Sequence, residues 1–233
     1  MMREIVLDTE TTGLRPNDGD RIVEIGCIEL LNHVPTGKLY HQYVNPERDM
    51  PIEVERVHGL SAEFLLGHPA FADIADAFVE FMGDAPLIIH NAAFDMGFIN
   101  AELTRLGTES IPKSRAIDTV GMARRKFPGA QASLDVLCRR FGIDLSERDL
   151  HGALLDARLL AEVYLELLGG RQHGMDLATD AAKVSVQSDE DVAEVIHATS
   201  GHRAPRAHAV SDEEKARHAT FIEKIKNPIW LRS

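Results

Sequence analysis

The sequence is organised around the nonapeptide IVLDTETTG, residues 5–13. Its first three residues are apolar, and Thr11, Thr12 and Gly13 break the run at its end. A short β-branched apolar run that ends in turn residues is typical of a buried central strand. Because side chains alternate between the two faces of a strand, we expect Asp8 and Glu10 to point the same way, with Thr9 opposite.

The pair of carboxylates in this strand predicts a metal site. Two such groups side by side repel each other and lose hydration unless a cation lies between them. The oxygen ligands of Asp8 and Glu10 suit Mg²⁺ or Mn²⁺ rather than zinc. An isolated Asp-x-Glu pair is also typical of a solvated strand end. The acidic residues elsewhere in the chain therefore have to decide between the two interpretations.

The bulk composition predicts one globular domain with an extension. The chain has 233 residues, of which 44% are hydrophobic, and a net charge of −12. This acidic balance argues against a protein that holds nucleic acid through a broad basic surface. A nuclease with this charge would need local cations, such as bound metal, or a partner that delivers the substrate.

The apolar segments and the two cysteines indicate a compartment. Apolar runs are too short to cross a bilayer, and the chain starts directly with a strand rather than a signal peptide, which predicts a cytoplasmic protein. Cys27 and Cys138 lie in apolar segments without metal-ligand spacing. We expect both to be buried, free thiols in a reducing environment.

The hydrophobic periodicity predicts an α/β fold with a mixed five-stranded sheet and flanking helices. Its first three strands are expected to be antiparallel, with a hairpin connection over residues 32–37 and an irregular segment at 51–60. The expected strands are 5–13, 21–31, 38–44, 86–89 and 116–119. The expected helices include a short one after Ser61, then 71–82, 94–106, one before Pro128, one after Ser133, 152–168 and 211–226.

Two further stretches carry candidate catalytic residues. The first is HNAAFD, residues 90–95, in which Asp95 comes after a strand and either binds metal or caps the following helix. The second is HGALLD, residues 151–156. On one helix His151 and Asp156 would point roughly 140° apart. They can meet only if His151 lies in the loop before the helix, which Gly152 allows.

These three motifs resemble those of the DEDDh exonucleases. Strings such as VHGL, RKFPG and SLDVLCRRF extend the likeness across most of residues 3–170. The chain is similar in particular to the proofreading exonucleases of bacterial replicative polymerases. The resemblance implies an RNase H-like exonuclease fold and hydrolysis of the 3′-terminal phosphodiester of DNA, with release of a nucleoside monophosphate.

The resemblance also implies the roles of five catalytic residues. Asp8 would bridge two divalent ions, Glu10 and Asp156 would complete the site of the attacking water, and Asp95 would support the second ion through solvent. His151, rather than a tyrosine, would be the general base, since an imidazole accepts protons near neutral pH. Hydrolysis of a phosphodiester is consistent with two bound ions, because such a pair stabilises the attacking and the leaving oxygen. We expect the five side chains to converge without permanent Lys or Arg partners.

Further residues follow from the resemblance as candidates for substrate binding. They are Thr9, Glu10 and Thr12 near the terminal sugar, Glu53, Val57 and His58 around the last nucleotide, and His90, Asn91 and Phe94 along the neighbouring wall. Two of them have an alternative interpretation. His58 is equally well a hydrogen-bonded loop histidine, and Phe94 a core residue.

The exonuclease domain is predicted to end at residue 170. Residues 171–177 resemble a sliding-clamp peptide with Gln172, Met175 and Leu177 as anchors, and 178–210 read as a linker. Residues 211–233 resemble a polymerase-binding tail that includes Trp230. The expected partners are therefore DNA 3′ ends, the polymerase subunit of a replicase and its sliding clamp.

The catalytic motifs alone leave two alternatives open. One is a free-standing DEDDh exonuclease that trims RNA or single-stranded DNA. The other is a scaffold that keeps the fold without activity, which the presence of all four carboxylates and the histidine disfavours.

Overall fold

The computed structural model describes residues 2–146, 148, 150–170 and 210–224. The chain divides into two units, and the first three of these ranges belong to the first unit and the last to the second. The predicted mixed sheet of five strands is confirmed in the first unit. Its strands are β1 (Arg3–Thr11), β2 (Ile22–Leu31), β3 (Val34–Tyr43), β4 (Leu87–Ile89) and β5 (Ala116–Asp118).

The spatial order of the strands is β3-β2-β1-β4-β5, so the stretch that begins at Arg3 is the central strand. The first three strands are antiparallel neighbours, whereas β4 and β5 run parallel to β1. The apolar half of β1 is buried, and the carboxylates beyond it lie at the edge where β4 ends.

Helices cover both faces of this sheet. They are α1 (Ile52–His58), α2 (Ala62–Leu65), α3 (Phe71–Met82), α4 (Ala92–Arg105), α5 (Thr119–Lys126), α6 (Leu134–Phe141) and α7 (Ala153–Leu168). Ser61 caps α2 as predicted, since its side chain accepts a hydrogen bond from the Phe64 N–H. Ser133 takes the predicted N-cap position of α6 but makes no side-chain capping bond.

The alternation along β1 creates two cores. Ile5 and Leu7 pack with residues of α3 and α4, whereas Val6 packs with α6 and α7 on the opposite face. The two cysteines divide between them, Cys27 in the first core and Cys138 in the second. Both are buried and free, as predicted.

The hairpin connection between β2 and β3 was predicted too long. The turn consists of Asn32 and His33, both at positive φ (50° and 67°), and β3 starts at Val34. Two central residues at positive φ match the twist of the paired strands. Pro35 and Gly37 made this segment look like a loop, but β3 is an edge strand, where proline is tolerated.

The prediction of an irregular segment at residues 51–60 was wrong, because it contains α1. Pro51 stands at its N-cap, and Gly59 ends the helix at φ 75°. A proline at the start and a glycine just past the end are the usual asymmetry of a short helix. Both signals are present in the sequence. The helix was nevertheless not predicted, because seven residues are too few to show a clear helical periodicity.

The start of α7 is set by its contact with β2. A Cβ atom at Gly26 would overlap the backbone of Ala153 and Leu154, so only glycine permits this approach. The buried Glu24 carboxylate accepts a hydrogen bond of 3.1 Å from the Ala153 N–H and one of 2.7 Å from His41. The first turn of α7 is thereby fixed close to the end of β1.

The second unit contributes one described helix, α8 (Asp212–Glu223). It begins with the predicted capping box between Ser211 and Glu214. Among the described residues no helix combines the length and the apolar character required to cross a bilayer. The predicted clamp anchors Gln172, Met175 and Leu177 and the predicted polymerase contact Trp230 lie outside the described residues.

Candidate active site

All five predicted catalytic residues line one cavity of about 500 Å³ at the end of β1. They come from three parts of the chain, in agreement with the three sequence motifs. Ligand atoms of Glu10, Asp156 and His151 lie within 4.8 Å of one another, close enough to share one ion. Of the predicted substrate-binding residues, Thr9, Glu10, His90 and Phe94 also line the cavity.

Asp95 is tied to the central strand rather than to its own helix. Its Oδ1 accepts hydrogen bonds from the Thr9 N–H at 3.1 Å and from the Thr9 hydroxyl at 2.8 Å. The helix N-cap is instead Asn91, at φ 65°. Because Thr9 points away from Asp8 and Glu10, the sheet brings carboxylates from both of its faces to one edge.

His151 lies in the loop immediately before α7, as the spacing of the motif required. Gly152 is the N-cap residue of that helix. The His151 N–H donates to the Val57 carbonyl at 3.2 Å, and its Nδ1 lies 3.4 Å from Oδ2 of Asp156. The imidazole is half-exposed, so it reaches both the acidic cluster and solvent.

Five predicted substrate residues are not among the residues that line the cavity: Thr12, Glu53, Val57, His58 and Asn91. The buried Thr12 hydroxyl accepts a hydrogen bond from the Arg21 N–H at 3.0 Å. His58 is buried and accepts one from the Leu60 N–H at 3.0 Å. Both side chains thus have contacts within the fold, and their part in substrate binding stays a prediction.

Three carboxylates of the cavity, those of Asp8, Glu10 and Asp95, have raised pKa values. Burial, followed by repulsion from Asp95 and Glu10, raises the pKa of Asp8 well above its usual value. Burial and repulsion from Asp156 raise the pKa of Glu10 to about 8. Burial also raises the pKa of Asp95 to about 7, although the bonds from Thr9 oppose this shift. A nearby cation would relieve all three shifts, so these residues fit a divalent metal ion.

Arg148, which belongs to none of the sequence motifs, also lines the cavity. Its guanidinium pairs with Asp156 through two hydrogen bonds, Nε to Oδ1 at 2.6 Å and Nη2 to Oδ2 at 2.7 Å. The expectation that no carboxylate has an arginine partner was therefore wrong for Asp156. The ion pairs of the described residues include none to Asp8, Glu10 or Asp95.

Comparison with known proteins agrees with this geometry. The profile of the exonuclease family RNase T matches residues 5–164. DNA polymerase III subunit epsilon of Rickettsia conorii is 48% identical over 227 residues, which cover 96% of each chain. The epsilon subunit of Escherichia coli is 42% identical over 232 residues, covering 96% of this chain and 93% of the relative.

The chain belongs to the DNA polymerase III epsilon subunit family. As a member of this family it is a 3′–5′ proofreading exonuclease. Family membership also implies divalent metal ions, in keeping with the acidic cluster.

The similar solved structures support the fold only, because less than a quarter of their aligned residues are identical to those of this chain. The nuclease domain of 3′hExo, a DEDDh family member bound to rAMP, has a TM-score of 0.63 at 19% identity and covers 71% of this chain and 91% of its own. Exonuclease X in complex with 5′ overhanging duplex DNA has a TM-score of 0.56 at 23% identity, with coverage of 72% and 91%. The predicted exonuclease fold is therefore confirmed.

Proposed function

We propose that this chain removes 3′-terminal nucleotides from DNA primer ends by two-metal hydrolysis and releases nucleoside monophosphates. The observation that carries the proposal is the meeting of Asp8, Glu10, Asp95 and Asp156 with His151 around one cavity. Carboxylates from both faces of a sheet do not gather in this way without a cost in desolvation and repulsion. Binding of cations offsets that cost.

The four carboxylates are the proposed holders of two Mg²⁺ or Mn²⁺ ions. When bound, such a pair of ions stabilises negative charge on the attacking and leaving oxygens. Asp8 and Glu10 extend from a strand with partners on both sides, and Asp95 is fixed by Thr9. These residues thus offer oxygen atoms in set positions, which small hard cations favour.

His151 is the proposed general base. Its backbone is held at the Val57 carbonyl, whereas its ring faces the cavity and solvent. A ring in this position can take a proton from a water molecule in the acidic cluster and return it to bulk solvent. A buried histidine, such as His58, is far less accessible to solvent.

The cavity wall offers apolar surface for the terminal nucleotide. Leu14, which is 79% exposed, and Phe94 line the same cavity as the acidic residues. We assign base and sugar contacts to this wall and to Thr9 and Glu10, with His90 nearby. Thr12, Glu53, Val57, His58 and Asn91 remain proposed contacts outside the cavity.

The relatives are named as subunits of DNA polymerase III, and we propose the same assembly for this chain. The partners would be the polymerase alpha subunit, through residues 211–233, and the sliding clamp, through residues 171–177. An acidic enzyme with a net charge of −12 binds DNA weakly by itself. Attachment to a polymerase raises the local concentration of the primer end.

The test is digestion of a primed DNA template with a 3′ mismatch by the full chain, with Mg²⁺ or Mn²⁺, in the presence and absence of the alpha subunit. We expect release of nucleoside monophosphates, no release in EDTA, and faster removal when the alpha subunit is present. A matched primer and a single-stranded RNA serve as comparison substrates. Efficient trimming of RNA without any association with the alpha subunit would instead establish a free-standing exonuclease.

A further inference from the structure

Arg148 makes more contacts with the catalytic groups than an ordinary surface arginine. Besides the two bonds to Asp156, its Nη2 lies 3.0 Å from Nδ1 of His151, and its Nη1 contacts the Asp135 carboxylate. The side chain is only 9% exposed. One guanidinium thus joins a proposed metal ligand, the proposed base and the first turn of α6.

The bond to His151 has a defined direction. A guanidinium has only donors, so Nδ1 of His151 must be the acceptor. That nitrogen is the one that lies 3.4 Å from Asp156. In this arrangement Arg148 occupies the side of the imidazole that faces the acidic cluster.

Arg148 also places a positive charge beside the acidic residues of the cavity. Among the described residues that line the cavity it is the one with a guanidinium or ammonium group. Its charge lowers the pKa of Glu10, against the effects of burial and of the other carboxylates. A bidentate arginine–carboxylate pair uses both oxygens of the carboxylate, which are the atoms that a metal ion would need.

We propose that Arg148 competes with the divalent cation for Asp156, so that each weakens the binding of the other. This inference rests on the proposed metal-binding role of Asp156. Release of Arg148 from Asp156 on metal binding also frees Nδ1 of His151.

The test measures binding of Mn²⁺ alone to the full chain by calorimetric titration, without DNA. Because coupling between two ligands is reciprocal, Arg148→Gln is expected to bind Mn²⁺ at least about fivefold more tightly than the unmodified protein. In EDTA the same variant should melt at a lower temperature, since the cluster has lost its cation. Arg124→Gln, which removes the same charge at an exposed position on α5, should change neither quantity.

Equal or weaker Mn²⁺ binding by Arg148→Gln would overturn the proposal and make Arg148 a structural support of Asp156. If that variant does not fold, Arg148→Lys decides, because it keeps the charge but lacks the planar fork. We expect it to bind Mn²⁺ about twofold or more tightly than the unmodified protein, and weaker binding contradicts the competition. Absence of Mn²⁺ binding in the unmodified protein would refute the metal site itself, and the competition with it.

Discussion

The two halves of the site are built differently. Asp8, Glu10 and Asp95 stand on regular elements, a central strand and a helix joined by the two bonds from Thr9 to Asp95. His151 and Arg148 stand on the connection between α6 and α7. There the His151 backbone has one bond to Val57, and half of its side-chain surface is exposed.

This difference follows from what each half has to do. Metal ligands must keep fixed positions, and secondary structure provides them at low cost in entropy. A base must exchange its proton with solvent, which requires exposure. Substitutions in the strand half, which holds Asp8, Glu10 and Asp95, are therefore expected to weaken metal binding. Substitutions in the loop half, which holds His151 and Arg148, are expected to lower the rate of nucleotide release or to alter how it depends on metal.

The largest effect is expected for Asp8→Asn in the strand half. Removal of a ligand charge is expected to lower nucleotide release by about 10³-fold or more, which corresponds to a loss of several kcal/mol of charge stabilisation. Release of nucleoside monophosphates and Mn²⁺ titration measure the change. Asp76→Asn, on the exposed side of α3, is the matched control. Normal turnover in Asp8→Asn would refute the metal assignment.

His151→Gln tests the loop half. The rate should fall by about 10²- to 10⁴-fold, because a positioned base is lost, whereas Mn²⁺ affinity should stay within about twofold. Single-turnover rates and calorimetric titration separate the two quantities. The exposed His218 on α8 provides the control His218→Gln. A loss of Mn²⁺ affinity as large as that caused by Glu10→Gln would make the imidazole a ligand instead of a base.

Thr9→Val probes the link between β1 and α4 with little change in shape. It removes the hydroxyl bond to Asp95 and is expected to reduce metal affinity or activity by about 10- to 100-fold. Thr36→Val, on the exposed edge strand, removes a comparable bond to Glu29 far from the cavity. If both variants behave alike, the position of Asp95 does not depend on Thr9.

The smallest effect is expected for stability against pH in EDTA. Glu10 and Asp95, with pKa values raised to about 8 and about 7, bind a proton more tightly in the folded than in the unfolded protein. Their contribution to stability is therefore complete below about pH 4 and is lost as pH rises through about 7 to 8. Melting temperature should fall by a few degrees between about pH 6 and about pH 9. Glu10→Gln should flatten this slope, and the exposed Glu63→Gln should not.

Most of the fold could be predicted because its signals are local and strong. The apolar run before Asp8 correctly predicted the central strand. The spacing of the motif that ends at Asp156 correctly predicted that His151 lies just before α7, the last helix described in the first unit. The missed helix α1 and the early start of β3 depend on tertiary context. A helix of seven residues depends on packing against the rest of the fold for its stability. A proline is tolerated in β3 because that strand lies at the edge of the sheet.

The site was predictable to a lesser degree. Carboxylates and histidine stand in recognisable motifs, but nothing in the sequence near Arg148 indicates that its side chain turns toward Asp156. The same holds for Glu24, whose hydrogen bond to Ala153 becomes apparent only when β2 and α7 are packed together. Residues that act through their neighbours leave no pattern of their own.

The contact between the first strand and α7 has a consequence for biosynthesis. Asp8 leaves the ribosome early, but Asp156 emerges only when nearly all of the first unit has been translated. A nascent chain that lacks α7 also lacks Asp156, so it cannot assemble the complete acidic cluster. The order of the elements along the chain thus makes the acidic cluster one of the last features of this unit to form during synthesis.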